Sequence, residues 1–450
     1  MRAPADSLTT HMARGVGTTF LGYAGRISRP VAYVLFAHLH GAASLGLVLL
    51  EWGWLELSVR VATLGLDRAL QRIVPATHEN ERPVVVARAL ALAAVASVLV
   101  AAAAAAVVPS LLHVSGNAVT HVRLSLMLAL PMLTIGVTAI HAVRGAKQIV
   151  ALVWARSVIE PAVFLVVGAF LALFGRGFSV LLVTLVASVA SVMVVGIVTL
   201  SRELGLLRLA RALGQAGGPG YVALARRALP LGAAELMGIA LERGDVIAVG
   251  WILHSPALLT GYAIASDIAG VLSKLRQGFD QAFAPLAAEL HAGGHADELA
   301  KAARLSSRWG MFLAAPVVLV LLVFPDRALA MFRVHEPGMA HTLMILVLGR
   351  FADVTAGPSA LVLGMMGHSR QVLWNGAVGL TLASAGSRIL GPLLGAPGVA
   401  LAAAIGVGVA SILGVTCLKR LERSGAQEGE APVSPRPAAA WRGSICTAHA

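Results

Sequence analysis

Apolar stretches of roughly 18 to 25 residues recur from one end of this chain to the other, and they fix its solvent before anything else is read. About 20 apolar residues in a helix cross a ~30 Å hydrocarbon core, and only helices or closed barrels satisfy their own backbone there. The pattern predicts twelve spans, approximately 14–38, 43–66, 84–109, 122–142, 149–174, 178–200, 228–252, 259–283, 309–329, 341–364, 371–394 and 398–418. An all-α integral membrane protein follows. Composition agrees, because 58% of the 450 residues are hydrophobic and 13% charged, whereas a soluble domain carries about a quarter of its residues charged. A soluble catalytic domain has no room.

The formal net charge of +13 would suggest nucleic acid in a soluble chain, but here it sorts by side of the membrane. With the N-terminus inside, the inner segments hold 21 of the 35 Lys and Arg residues and the outer ones hold only Arg176, Arg327 and Arg333. Basic residues accumulate on the cytoplasmic side, so both termini are predicted cytoplasmic and no nucleic-acid partner is needed. Spans one, two and eight carry charges and are weak by hydropathy; they are retained because removing them breaks that asymmetry. Cys417 and Cys446 predict no disulfide. Ser7, Thr9, Thr10 and His11 precede the first apolar stretch without a compact apolar core or cleavage site, so no cleaved signal peptide is expected.

The linker 201–227, with Gly214, Gly217, Gly218, Pro219 and Gly220, divides the chain into two six-helix lobes, 1–200 and 228–418. A tail, 419–450, rich in Glu, Pro and small residues, is predicted to be disordered and cytoplasmic. The halves echo each other: Gly65-Leu66-Asp67-Arg68-Ala69-Leu70 ends the second span and Gly278-Phe279-Asp280-Gln281-Ala282-Phe283 ends the eighth. Equivalent positions in two units entered from the same side imply a parallel repeat about an axis along the membrane normal.

Ionised groups at bilayer depth cost about 2.5–3.5 kcal/mol on insertion scales and face partners or a wet cavity. Arg26 and Arg29 share a face of span one with no acid within four residues. Span two carries Glu51, Glu56 and Arg60, span five Arg156 and Glu160, and span seven Glu235, Glu242, Arg243 and Asp245. Span eight carries Asp267, Lys274 and Arg276, span ten Arg350 and Asp353, and span eleven Arg388. Helical spacing pairs Arg156 with Glu160 and Arg350 with Asp353, and permits Arg60 with Glu56 and Lys274 with Asp267. If the first two spans of each half line one cleft, Arg26, Arg29, Arg60, Lys274 and Arg276 make it cationic, and guanidinium forks suit phosphate oxygens. Glu51, Glu56, Glu235, Glu242, Asp245 and Asp267 are then coupling or gating groups, as interhelical partners or as binders of H⁺ or Na⁺.

His38-x-His40 and His291-xxx-His295 lack a third metal ligand, so they read as interface or loop histidines. Gly391-xxx-Gly395 and Gly364-xx-Gly367 read as close helix approaches, and Pro161, Pro230 and Pro316 as kinks. No Gly-rich Lys-Ser/Thr nucleotide motif and no nucleophile arrangement is present, and no cofactor or metal is implied.

Three stretches carry a family resemblance. Thr63-Leu64-Gly65-Leu66-Asp67-Arg68-Ala69-Leu70-Gln71-Arg72-Ile73-Val74-Pro75 follows the second helix. Pro230-Leu231 with Asp245, Gly261-Tyr262 and Phe283-x-Pro285 falls on the seventh and eighth. Leu363-Gly364-Met365-Met366-Gly367-His368-Ser369-Arg370 follows the tenth. They resemble the polysaccharide (O-antigen type) flippase branch of the multidrug/oligosaccharidyl-lipid/polysaccharide exporter superfamily. The chain departs from that pattern at Pro30, beside Arg29, and at Glu51 and Glu56. It also lacks the two further C-terminal helices usual in lipid II flippases.

The resemblance implies a MATE-like fold, two six-helix lobes around a central V-shaped cavity, and alternating access with cavity arginines holding a diphosphate. The implied cargo is a polyprenyl-diphosphate-linked oligosaccharide moved across the bacterial cytoplasmic membrane for surface polysaccharide such as lipopolysaccharide. Its implied partners are membrane lipid, an H⁺ or Na⁺ counter-ion and other polysaccharide-assembly proteins. The expectation is a transporter and not an enzyme. The rivals are a multidrug cation antiporter of the same superfamily, which needs acids and aromatics in its cavity, and a membrane glycan polymerase or ligase, which needs a large outer loop.

Overall fold

The structure is a computed structural model that describes residues 28–145, 154–214, 220–253, 255–292, 296–366 and 368–427, and the regular elements among them are helical. The first half contains α1 (Ser28–His40), α2 (Ala42–Thr63), α3 (Leu66–Ala76), α4 (Arg82–Leu111) and α5 (Asn117–Gly145). A π-helical turn, Trp154–Ile159, then runs into α6 (Glu160–Leu171), followed by α7 (Phe178–Leu204) and the short α8 (Leu206–Ala212). The second half contains α9 (Tyr221–Ile252), α10 (Pro256–Ala292), α11 (Ala296–Val323), α12 (Pro325–Ala330), α13 (Met339–Ala356), α14 (Ser359–Met365), α15 (Ser369–Leu394) and α16 (Ala396–Gln427).

Ten of these helical stretches are long and apolar enough to cross a membrane: α2, α4, α5, the π-turn with α6, α7, α10, α11, α13, α15 and α16. The charged spans two and eight qualify. Span seven, α9, does not, because Glu235, Glu242, Arg243 and Asp245 fall within eleven residues of it. Of the predicted span one, only α1 lies among the described residues. The predicted tenth span is broken where Gly357 turns left-handed (φ +68°) ahead of Pro358, giving α13 and α14. Within the predicted linker, 201–227, the described residues include the end of α7, all of α8 and the start of α9. Residues 428–450 of the predicted tail, and Cys446 in it, lie outside the described residues.

Lipid tails are as apolar as leucine, so helices here associate through close packing of small residues. Each half uses the same device. A Cβ added to Gly196 of α7 would stand 2.7 Å from the Gly136 carbonyl of α5, and one added to Gly379 of α15 would stand 2.6 Å from the Gly406 carbonyl of α16. Gly391 likewise packs on Ile252 (2.6 Å), whereas nothing lies within 4 Å of a Cβ on Gly364, and Gly367 of that motif lies outside the described residues. Large side chains such as Leu99, Phe170, Phe312 and Leu393 point outward, the expected face toward acyl chains. The main buried cluster crosses the halves, joining Trp52, Leu126 and Phe164 to Tyr262, Leu343 and Val399.

The internal echo has structural meaning. In the first copy the chain breaks at Leu64 and Gly65, both left-handed (φ 52° and 76°), whereas the second copy runs unbroken inside α10. Yet the shared aspartate does the same thing in both, capturing an arginine from a preceding turn: Arg60–Asp67 at 2.8 Å and Arg276–Asp280 at 2.7 Å.

Candidate functional site

The ionisable side chains inside the helices form four groups. The first surrounds Trp52 of α2. Arg29 of α1 lies over that indole, 4.0 Å from the ring centroid, and reaches Glu160 of α6 at 3.3 Å. Arg156, on the π-turn, lies over the same ring at 5.9 Å. Arg243 of α9 joins Glu56 of α2 (3.3 Å) to Asp267 of α10 (3.6 Å), and Lys274 stands 3.8 Å from Asp267.

The second group ties α2 and α3 to α9. Arg60 pairs with Asp67 and, at 3.0 Å, with Glu235, which also accepts from Arg68. In the third, Arg276 bridges Asp280 and Asp353 (2.8 Å), and Ser411 of α16 donates to Asp353 at 2.9 Å. In the fourth, Asp245 accepts from the Tyr262 hydroxyl (3.1 Å) and Ser266 (3.3 Å) with Arg350 3.9 Å away. Arg350 also donates to the Glu242 carbonyl, while the Glu242 carboxylate faces Gln277 at 3.4 Å.

The residues expected to line one cationic cleft are distributed over these groups. Arg26 lies outside the described residues. Arg29, Arg60, Lys274 and Arg276 each face a carboxylate and are divided among three groups, because a cation left without a counter-charge in a low-dielectric interior costs several kcal/mol. The expected helical pairs also give way to interhelical ones: Glu160 is taken by Arg29 and not Arg156, Asp353 by Arg276 and not Arg350, and Arg60 prefers Asp67 and Glu235 to Glu56. Lys274 with Asp267 stands as expected. Arg388 is exposed. Trp52 was invisible to sequence reading, since no spacing links it to Arg29 or Arg156; only the unusual density of charge in spans one, two and five hinted at a site there.

The groups differ in balance. Around Trp52, four cations (Arg29, Arg156, Arg243, Lys274) face three carboxylates (Glu56, Glu160, Asp267), whereas the Arg276 and Arg350 groups each carry one more carboxylate than cation. Aromatic faces on Arg29, from Trp52, Tyr33 and Phe164, add cation–π attraction, worth ~2 kcal/mol or more when desolvated.

Glu51 stands apart. It is 1% exposed, and its carboxyl faces the buried hydroxyl of Ser125 as its one polar neighbour among the described residues. Removing one member would strand the other, whereas replacing both by apolar groups removes the buried polar cost of about 1–3 kcal/mol, so Glu51→Leu with Ser125→Ala is expected to raise thermal stability by up to that amount. Thermal unfolding in detergent checks this, and a lower melting temperature would show that the pair holds its helices together.

His38 and His40 make local contacts. His38 Nδ1 meets the Val34 carbonyl (2.9 Å), His40 accepts from the Gly177 N–H (3.0 Å), and among the described residues no group of three metal-binding side chains forms. His291 and His295 give no described side-chain geometry.

Helix α2 touches the second half at both ends. At one end a Cβ on Gly46 would come within 2.7 Å of the Thr260 Cα, and nearby His113 bonds the Gly250 carbonyl at 3.0 Å. At the other, a Cβ on Gly65 would come within 2.6 Å of the Gly232 Cα. The contacts are 19 residues apart, roughly 28 Å along a helix, close to the thickness of the hydrocarbon core. Along this seam the halves meet near both ends of α2.

The MatE family profile matches residues 230–382, from within α9 into α15. No curated protein matches the sequence. Solved structures share the fold. An inward-facing multidrug resistance MATE family transporter of the MOP superfamily superposes with a TM-score of 0.69 at 16% identity, covering 90% of this chain and 96% of that one. An outward-facing one gives 0.65 at 15%, covering 93% and 96%. A MOP superfamily transporter from Pyrococcus furiosus, whose binding pocket of reverse polarity suggests a different function, gives 0.64 at 17%, covering 94% and 97%. The chain has the fold of the MATE transporters.

Proposed function

We propose that the chain is a transporter of the MATE family that carries a polyprenyl-diphosphate-linked oligosaccharide from the inner to the outer leaflet of the cytoplasmic membrane. In this reading two lobes, 1–200 and 228–418, rock about the linker 201–227, with both termini in the cytoplasm. One observation carries the anionic cargo: the group around Trp52 holds one cation more than its carboxylates neutralise. The Pyrococcus furiosus transporter, with its reversed pocket polarity, supports a departure from the usual cargo within this fold. The membrane potential supplies energy, since each negative charge leaving a negative interior gains about 2.3 kcal/mol per 100 mV, and H⁺ or Na⁺ exchange adds to it. Other polysaccharide-assembly proteins complete the proposed setting.

A second reading, a multidrug cation antiporter, is favoured by the multidrug transporters of the same fold and by the carboxylate surplus around Arg276 and Arg350. Proteoliposomes separate the two. We expect the protein to speed leaflet exchange of a fluorescent prenyl-diphosphate disaccharide at least about tenfold over empty vesicles, the discrimination ~1.4 kcal/mol provides, and not to move ethidium against an H⁺ or Na⁺ gradient. Ethidium transport without lipid exchange would make the antiporter the function.

A further inference from the structure

Segment 206–229 leads from the end of α7 through α8 into α9, and it carries Arg208, Arg211, Arg226 and Arg227 with no Asp or Glu. All four arginines are exposed, and among the described residues none of them makes an ion pair. Local structure sets how they are displayed. Gly205, at a positive φ of 74°, ends α7 and turns the chain. Helix α8 then lays Leu209 and Ala212, three residues apart and so on one face, into the buried cluster that contains Val85 of α4. The first turns of α9 add Leu224 and Ala228, four residues apart, to the same cluster. The opposite faces of both pieces therefore turn outward, and they are not purely polar. Leu207 is 73% exposed and Val222 72%, with Leu206 and Tyr221 also exposed beside them.

A surface that mixes unpaired arginines with bare, large apolar side chains suits neither water nor hydrocarbon alone. It suits the boundary between them, where apolar side chains enter the acyl region and cationic heads stay at the level of the headgroups. Its place agrees, because α8 begins two residues after the end of a helix long and apolar enough to cross the membrane. We propose that α8 and the first turns of α9 form a docking surface for anionic phospholipid of the adjoining leaflet. The guanidinium forks take the phosphodiester oxygens of the headgroup, and Leu207 and Val222 rest on the acyl chains. Four positive charges without an acid among them are complementary to a lipid that carries net negative charge, and not to a zwitterionic one. None of the four belongs to the ionisable groups inside the helices, so the proposal holds whichever cargo the protein carries.

The test is native mass spectrometry of the full-length protein released from nanodiscs of equal parts phosphatidylglycerol and phosphatidylcholine, counting the lipids that stay bound. Wild type is expected to retain phosphatidylglycerol in preference. The variant Arg208→Gln/Arg211→Gln/Arg226→Gln/Arg227→Gln should lower the ratio of the two lipids at least about fivefold, the effect of a single arginine near an anionic surface. Each pair, on α8 or on α9, should lower it by less, and the pairs carry the test if the quadruple variant does not fold. Arg123→Gln with Arg176→Gln, exposed arginines in the first turns of α5 and just before α7, should leave the ratio unchanged. A quadruple variant with the wild-type ratio, or a control pair that lowers it as much, would overturn the docking surface. So would a wild type without preference, the result expected of a surface made for an acidic protein segment.

Discussion

Replacing Asp245 with alanine is expected to destabilise the protein by about 3–5 kcal/mol, the cost of removing one partner from a buried charge pair. Its side chain is fully buried and holds three groups together: the Tyr262 hydroxyl, Ser266 and the nearly buried Arg350. Alanine leaves the guanidinium with the Glu242 carbonyl and no carboxylate, and leaves the tyrosine hydroxyl without its acceptor in the interior. Asn keeps an acceptor oxygen, so Asp245→Asn should lose less, and Tyr262→Phe only about 1 kcal/mol. Thermal unfolding of the three variants in one detergent gives the ranking. Equal stability of the alanine variant and wild type would mean that Asp245 does not hold the second half together.

The other large effect is expected from Gly65. Alanine there meets two penalties at once, a left-handed backbone (φ 76°) and a Cβ pressed against the backbone of Gly232 and Ala228. Together they amount to about 3–5 kcal/mol. Only the clash, about 1–3 kcal/mol, depends on that end of the seam being shut, so Gly65→Ala should favour the state parted at that face by about 10-fold or more. A cysteine at the buried Ala228, in a Cys417→Ser and Cys446→Ser background, reports it: a membrane-impermeant maleimide should label it rapidly with Gly65→Ala and slowly without. Gly46→Ala, acting on Thr260 at the far end, should leave that label slow. Unchanged labelling with Gly65→Ala would mean the seam is not what closes that face.

Hydropathy made most of the fold legible, because a span needs nothing but length and apolar character. It also counted α9 as a span although Glu235, Glu242, Arg243 and Asp245 fall in it, and these meet partners on α2, α3, α10 and α13 that no local window contains. The site was legible as a set of residues and not as an arrangement. Arg29, Arg60, Lys274 and Arg276 stood out by cost alone, but spacing along one helix suggested Arg156 with Glu160, and the fold gives Glu160 to Arg29 across 131 positions. The aspartates of the repeated six-residue segment were readable by contrast. Asp67 and Asp280 act on arginines seven and four residues away, within reach of sequence pattern.

Two contacts about 28 Å apart, one near the start of α2 and one in the turn just past its end, also constrain how the halves can separate. Either contact can serve as a fulcrum while the other parts, and a swing of about 15°, the size of known rigid-body transitions, lifts the far end by ~7 Å. That is enough to unseat a glycine from the backbone it touches, and it spends only one contact at a time. In the proposed transport cycle such a lever would keep one end shut while the other opens, and ions on the two sides would stay separated throughout the stroke.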